Sequence, residues 1–125
     1  MLPEVMTAVC DFCFPAEKAV LAGYGRYLIK NEVFPAIVAE QGASTEGLLY
    51  RGLDRKSLDQ LDAFEGKLYC RKKVAVTLAD GSKAHCHTYV INGRCRHLLS
   101  DRAWDADLFR AGDLAGFLAA LATDT

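Results

Sequence analysis

The stretch LDQLDAFEGKLYCRKKVAV, Leu58 to Val76, changes its hydrophobic period from that of a helix to that of a strand. Three apolar residues of its first part share helical spacing: Leu58, Leu61 and Phe64. Asp54 is placed to cap this helix at its start, and Gly66 supplies a left-handed stop. After the glycine, apolar and polar residues alternate from Tyr69 to Leu78, as they do in a half-buried strand. The stretch therefore predicts a helix, a tight turn and a strand in succession.

Glu65 occupies the last turn of this predicted helix, directly before Gly66. A carboxylate there faces the negative end of the helix dipole, which costs up to about 1 kcal/mol. Such a position suits a solvated surface glutamate, for which that cost is tolerable. It is also one way in which a site raises a carboxyl pKa towards the range of a general base. The local sequence allows both interpretations.

The sequence ADGS, Ala79 to Ser82, predicts a hairpin after this strand. Two registers compete, since a two-residue turn and a three-residue loop place opposite faces of the second strand against the first. The three-residue loop, with Gly81 left-handed, sets apolar residues opposite Val74 and Val76 and is therefore preferred. One face of the hairpin then carries five aromatic or polar side chains: Tyr69, Arg71, His85, His87 and Tyr89.

The rest of the chain predicts short elements without repeats or linkers. A helix with proline in its first turn is predicted over Pro3–Cys10. Three strands follow: Ala19–Ile29, Val33–Val38 and Thr45–Tyr50. Gly23 and Gly25 imply a bulge or a close backbone approach in the first strand, and Pro35 makes the second an edge or bulged strand. A final helix is predicted from Asp105 or Asp107 through Leu121, with an apolar stripe of Phe109, Leu114, Phe117, Leu118 and Leu121.

This order of elements lacks the regular strand-helix alternation of a doubly wound sheet, so the expected class is α+β, a small mixed β-barrel or curled sheet with flanking helices. The 125 residues, 51% of them hydrophobic, suit a single domain over residues 1–125. Fifteen basic and sixteen acidic residues leave a formal net charge of -1, which argues against a nucleic-acid partner. The chain has no apolar run of membrane-spanning length and no signal-peptide pattern, so a cytoplasmic protein without a membrane partner is expected.

The five cysteines form an odd number, which favours free thiols over a disulfide framework. The CDFC motif, Cys10 to Cys13, has metal or redox spacing, and HCH, His85 to His87, has further potential zinc ligands. A zinc site normally needs a second paired motif, which the sequence does not contain. No glycine-rich phosphate loop follows a strand either, so neither a metal nor another cofactor is predicted.

Four segments together resemble the gamma-glutamylcyclotransferase-like family. They are FPAIV at Phe34 to Val38, GLLY at Gly47 to Tyr50, the opening stretch from Leu58 to Val76, and HTYV at His87 to Val90. The central Leu-Asp-x-Phe-Glu-Gly-x-x-Tyr-x-Arg block is the specific part. The resemblance implies a small β-barrel enzyme that cyclises the γ-glutamyl group of a small amide and releases 5-oxoproline and an amine or amino acid.

In that pattern the acidic residue of Phe-Glu-Gly is the catalytic base, which corresponds to Glu65. Tyr69 and Tyr89 resemble the substrate-binding tyrosines, although packing roles are nearly as natural for them. Arg71 also matches, and an ion pair with Asp62 is its structural alternative. Family members begin with a strand and a Tyr-Gly-x-Leu loop, which this sequence is expected to lack.

Two functions are therefore expected from the sequence. The first is a cyclotransferase acting on a small γ-glutamyl substrate without a cofactor. The second is a non-catalytic small-molecule-binding or interaction domain on the same scaffold. The apolar final helix either covers the core or pairs with a second copy, so a homodimer is one expected assembly.

Overall fold

The structure, a computed structural model, describes residues 1–123, with side chains through residue 121. Helices and strands follow in the order α1 (Pro3–Cys10), β1 (Ala16–Ile29), β2 (Pro35–Tyr50), α2 (Arg55–Glu65), β3 (Tyr69–Leu78), β4 (Lys83–Ile91), β5 (Leu99–Ala103), α3 (Ala106–Gly112) and α4 (Leu114–Thr123). Two 3-10 turns, Gly66–Leu68 and Gly93–Leu98, precede β3 and β5.

The five strands form one sheet in which β1 is the central strand. The order is β2-β1-β3-β4, and β5 pairs with β1 off this path. Every pairing in the described residues is antiparallel. The sheet curls so that β2 and β4, at the two ends of this order, also come into contact. The predicted α+β class is confirmed, with helices packed on a curled, barrel-like sheet.

The strands predicted over Val33–Val38 and Thr45–Tyr50 are one strand, so this prediction was wrong. β2 is continuous, but its pairing with β1 is irregular where Gly23 stands opposite residues 40–43. Both Gly23 and Gly42 adopt positive φ angles there, 83° and 85°. The backbone therefore bulges where the sequence suggested that a strand ended. The bulge predicted at Gly23 is confirmed.

The hairpin of β3 and β4 has the predicted three-residue register. Val76 pairs with Ala84, and Val74 pairs with Cys86. Gly81 has a φ of 86°, as the left-handed position of such a loop requires. The face that carries Tyr69 and Arg71 on β3 consequently carries His85, His87 and Tyr89 on β4.

The predicted final helix is broken into α3 and α4. Asp105 caps α3 by accepting hydrogen bonds from the backbone N–H groups of Asp107 and Leu108. The break falls at Asp113, whose carbonyl accepts the first backbone bond of α4 from Phe117. Gly112 is a poor helix former, and Asp113 is a good residue for a helix start, so the helix is interrupted at these two residues. The apolar residues of the predicted stripe still pack in one cluster.

The sequence did not predict β5. Its partner positions are Ala103 opposite Tyr27 and Leu99 opposite Ile29, at the end of β1. The Ser100 hydroxyl donates a 2.7 Å hydrogen bond to the carbonyl of Leu28 and adds a side-chain link between the two strands. The strand is fixed by these tertiary contacts, because its sequence LSDRA has only a weak alternating pattern.

The core consists of several packed apolar clusters. One lies where β1, β2 and β4 meet, around Ile29, Val38 and Val90. Another joins α1 to the last helices through Val5, Phe109 and Leu114. In the described residues, no helix combines the length and the apolar character needed to cross a membrane.

Gly25 on β1 lies against the ends of two neighbouring side chains. A Cβ atom there would lie 2.7 Å from Glu40 Oε1 and 2.8 Å from the Tyr27 ring. The Tyr27 hydroxyl donates to the Glu40 carboxylate, which holds both groups against Gly25. The groups nearest to Gly25 are therefore side chains and not the close backbone approach that the sequence suggested, and the small residue permits the hydrogen bond between Tyr27 and Glu40.

We expect Gly25→Ala to lower the free energy of unfolding by about 1–3 kcal/mol, because the new methyl group must displace the hydrogen-bonded pair. Gly47→Ala is the control, since a Cβ at Gly47 meets nothing within 4 Å. That substitution should change stability by about 0.5 kcal/mol or less. Urea denaturation measures both variants, and equal unfolding midpoints for the two would contradict the steric argument.

Candidate active site

α2 carries Glu65 to the edge of the β3–β4 hairpin. Asp54 caps the start of the helix by accepting a 2.8 Å hydrogen bond from the Ser57 N–H. The helix ends before Gly66, which has a φ of 64°, and a single 3-10 turn leads into β3. Leu61, on the inner face of α2, is buried against Met6 and Cys10 of α1 and so fixes the orientation of the helix. The predicted cap, stop and apolar spacing are thus confirmed, and together they position Glu65.

A cleft of about 470 Å³ lies between the end of α2 and the polar face of the hairpin. It contains all three site residues predicted from the sequence, Glu65, Tyr69 and Tyr89. The complete lining is Asp62, Glu65, Gly66, Tyr69, Arg71, Lys73, His87 and Tyr89. Asp62 and Glu65 are three positions apart on one helix, so both carboxyl groups reach the same side.

The side chain of Glu65 is partly buried. Burial raises its pKa to about 7, and the charge of the Met1 ammonium opposes part of this shift. Glu65 has no hydrogen-bond or ion-pair partner among the described side chains. At neutral pH it is therefore divided between its acid and carboxylate forms, as a group that accepts and returns a proton must be.

Tyr69 and Tyr89 form walls of the cleft, and their hydroxyl groups are anchored to the protein. The Tyr69 hydroxyl donates a 2.6 Å hydrogen bond to the carbonyl of Pro35. The Tyr89 hydroxyl donates a 2.5 Å hydrogen bond to Asp62 Oδ1. Burial raises the pKa of both phenols, and nearby carboxylates raise it further, so both stay neutral. Each anchored oxygen can still accept a hydrogen bond from a ligand.

Asp62 is the second carboxylate of the cleft, and its environment differs from that of Glu65. Arg71 Nε lies 3.2 Å from Asp62 Oδ1, the same oxygen that accepts the Tyr89 hydrogen bond. The ion pair expected between Arg71 and Asp62 is confirmed. The two carboxyl groups, one helical turn apart, therefore differ in environment. Asp62 is held by two partners, whereas the partly buried Glu65 has no hydrogen-bond partner among the described side chains and interacts with the charge of the Met1 ammonium.

Sequence reasoning did not assign Asp62, Lys73 or His87 to the site. A usable signal existed for the last two, because the predicted hairpin register places them on the face of Tyr69 and Tyr89. Lys73 lies in the run of basic residues Arg71 to Lys73, and such a run is by itself typical of a solvated face. Asp62 had been considered only as a partner of Arg71, although its spacing from Glu65 places both on one helix face.

The described residues contain no group of three His, Cys, Asp or Glu side chains arranged to hold a metal ion. Cys10 lies in the core, where its thiol contacts Met6 Sδ at 3.8 Å and the Ser57 carbonyl at 3.9 Å. Cys13 is exposed. The cysteine pair is therefore divided between the interior and the surface.

A family profile described as "Gamma-glutamyl cyclotransferase, AIG2-like" matches residues 1–106. AIG2-like protein C of Arabidopsis thaliana is 32% identical over 119 residues, which cover 94% of this chain and 69% of that protein. Protein AIG2 C of the same plant is 34% identical over 89 residues, 70% of this chain and 54% of the relative. The chain thus spans about half to two thirds of the length of these relatives.

Solved structures of similar fold include a protein from Arabidopsis thaliana in solution, with a TM-score of 0.68 and 26% identity. The match covers 98% of this chain and 74% of the plant protein. A structure described as gamma-glutamyl cyclotransferase has a TM-score of 0.60 at 17% identity, over 73% of this chain and 60% of that one. At that identity the second likeness concerns the fold alone.

Proposed function

The chain belongs to the gamma-glutamyl cyclotransferase, AIG2-like family, and on that premise we propose that it cyclises the γ-glutamyl group of a small amide, with Glu65 as general acid and base. The observation that carries this proposal is the partly buried carboxyl group of Glu65, which has no hydrogen-bond partner among the described side chains and whose pKa is raised by burial to about 7. The products are 5-oxoproline and the amine or amino acid that was joined to the γ-carbonyl.

The reaction begins with a proton transfer from the substrate. The α-ammonium group of the γ-glutamyl unit pairs with the Glu65 carboxylate and then gives it one proton. The freed nitrogen attacks the γ-carbonyl carbon of the same molecule and forms the new C–N bond of a five-membered ring. The cleft holds the substrate in a folded conformation, in which the nitrogen already lies close to the γ-carbonyl carbon. The entropy cost of reaching this geometry is therefore met on binding.

The second half of the reaction returns the proton. Collapse of the tetrahedral intermediate breaks the bond between the γ-carbon and the leaving nitrogen. Glu65, now protonated, gives its proton to that nitrogen as the bond breaks, which regenerates the carboxylate. The ring nitrogen still carries the second proton of the former ammonium group, and this proton passes to the released amine. The products are therefore the 5-oxoproline carboxylate and an ammonium ion, and atoms and charge balance without an added reactant. A pKa near neutrality serves both transfers, because the group must be a competent base first and a competent acid afterwards.

The tyrosines are proposed to bind the substrate through their rings and their phenolic oxygens. Since both hydroxyl protons are donated to Pro35 and Asp62, each phenolic oxygen is left as an acceptor for an N–H group of the ligand. The ring faces supply apolar walls for the methylene carbons of the γ-glutamyl chain. Asp62 thereby acts as a positioning residue, which orients both Tyr89 and Arg71.

Release of 5-oxoproline from a panel of γ-glutamyl amides tests the proposal. The panel contains γ-glutamyl amino acids, γ-glutamyl alkylamides and a glutathione-like tripeptide, and 5-oxoproline is quantified by chromatography. The assay uses the 125-residue chain and a version with any residues that precede Met1 in its gene. Release from one class of amide is the expected result. No release by folded protein of both lengths would overturn the proposal in favour of a non-catalytic binding domain.

A further inference from the structure

The end of the cleft farthest from Glu65 carries positive charge that no described side chain neutralises. Lys73 on β3 pairs in register with His87 on β4, and both side chains line the cleft. Neither has a carboxylate or other hydrogen-bond partner among the described residues. Arg71, by contrast, is matched by Asp62 at 3.2 Å.

The charges of the cleft are therefore ordered along β3. Glu65 lies beside Tyr69 at the inner end, the Asp62–Arg71 pair lies in the middle, and Lys73 with His87 lies at the outer end. An ionised inner carboxylate suits the α-ammonium group of a ligand. The outer lysine suits an anionic group on the other side of the same ligand. The middle section contributes no net charge, so it separates the two attractive ends without competing for either.

We propose that Lys73 and His87 bind a carboxylate carried by the amine that leaves the γ-glutamyl group. This inference rests on the proposed cyclotransferase function and names its substrate class. A substrate whose leaving group is an amino acid or a peptide is preferred over one whose leaving group is a neutral alkylamine. Lys73 supplies the charge, and His87 supplies a ring N–H that donates a hydrogen bond.

The separation along the strand agrees with this division of roles. Successive residues of a strand advance about 3.3 Å, so Lys73 lies about 13 Å along β3 from Tyr69. The flexible four-carbon stem of Lys73 lets its ammonium group turn back towards the middle of the cleft. With the γ-glutamyl unit held at the Glu65 end, a carboxylate attached beyond the leaving nitrogen lies between Tyr69 and Lys73, within reach of the Lys73 ammonium group.

Matched substrate pairs isolate the carboxylate. γ-Glutamylglycine is compared with γ-glutamylethylamide, and γ-glutamyl-4-aminobutyrate with γ-glutamylbutylamide. Within each pair the leaving groups have similar length, and only the acid carries a negative charge. The ratio of kcat/KM for acid and alkylamide is measured for the natural protein, for Lys73→Gln and for Lys72→Gln. Lys72 is the control because it lies next to Lys73 and outside the cleft lining, on the other face of β3.

We expect the natural protein to prefer the acid of at least one pair by about two- to fivefold, the scale of an ion pair at an exposed lysine. Lys73→Gln should bring that ratio close to one, Lys73→Arg should retain most of it, and Lys72→Gln should leave it unchanged. The loss should lie mainly in KM, because the carboxylate is bound alike before and during the reaction.

The outcomes separate this inference from the function on which it rests. No 5-oxoproline from any pair would contradict the cyclotransferase function itself. Release from acids and alkylamides with equal kcat/KM would leave that function standing and overturn the assignment of Lys73 and His87. A preference for acids that survives in Lys73→Gln would overturn it as well.

Discussion

Glu65→Gln is expected to lower the rate of 5-oxoproline release by about 10²- to 10⁴-fold, the range for loss of a positioned general acid and base. Glutamine keeps the size of the side chain and removes its ability to accept a proton. The partly buried environment of Glu65 also favours the uncharged amide, so the variant should fold at least as well as the natural protein at pH 8. Steady-state assays with the best substrate of the panel provide the measurement.

Two further variants show whether the loss is specific to the base. Glu65→Asp retains a carboxyl group but withdraws it by one methylene, so an intermediate loss is expected. Glu46→Gln removes a carboxylate from an exposed position of β2, outside the cleft, and should leave the rate unchanged. A Glu65→Gln variant with more than about a tenth of the natural rate would show that Glu65 is not the general base.

Leu61→Ala is expected to lower the free energy of unfolding by about 2–5 kcal/mol, the range for a truncated buried leucine. Leu61 is only 3% exposed and belongs to the cluster that contains Met6 and Cys10 of α1. It therefore attaches α2, the helix of Asp62 and Glu65, to the rest of the protein. Urea denaturation followed by circular dichroism gives the change in stability.

Leu58→Ala is the matched control, since Leu58 lies on the same helix and is only half-buried. The same chemical change should cost clearly less there, because less apolar surface returns to water. Equal losses at Leu58 and Leu61 would contradict the attribution of the effect to burial against α1, because Leu→Ala does not lower helix propensity at either position.

The helix-turn-strand unit that carries Glu65 was predictable because its signals are local. Asp54, Gly66 and the alternation after Tyr69 each act through residues a few positions away. The register of the hairpin was predictable for a related reason, since only one of two loop lengths keeps Val74 and Val76 opposite apolar partners. These elements place Glu65, Tyr69 and Tyr89 around one cleft, as expected from the sequence.

The elements that were predicted wrongly or missed depend on distant contacts. β2 remains one strand because β1 pairs with it on both sides of a bulge. In the local sequence pattern the same bulge looks like the end of one strand and the start of another. β5 is determined by its pairing with the end of β1. The break between α3 and α4 lies at Gly112 and Asp113, and the apolar stripe alone could not show it because both helices keep their apolar faces inward.

The sequence could not decide whether the pKa of Glu65 is raised, for the same reason. Its position at the end of a helix was visible, but the burial that raises the pKa depends on how α2 packs beside Met1 and the hairpin. The free charge at Lys73 was hidden as well, because a run of basic residues does not show which of them is neutralised by a carboxylate on another element.

The pH dependence of kcat/KM most directly tests whether the carboxylate of Glu65 is the base. Burial raises the pKa of Glu65 to about 7, and only the ionised form accepts the substrate proton. The rate constant should therefore increase about tenfold per pH unit below pH 7 and become level above it. A curve that is flat from pH 5 to pH 8, in protein that stays folded across this range, would contradict the account.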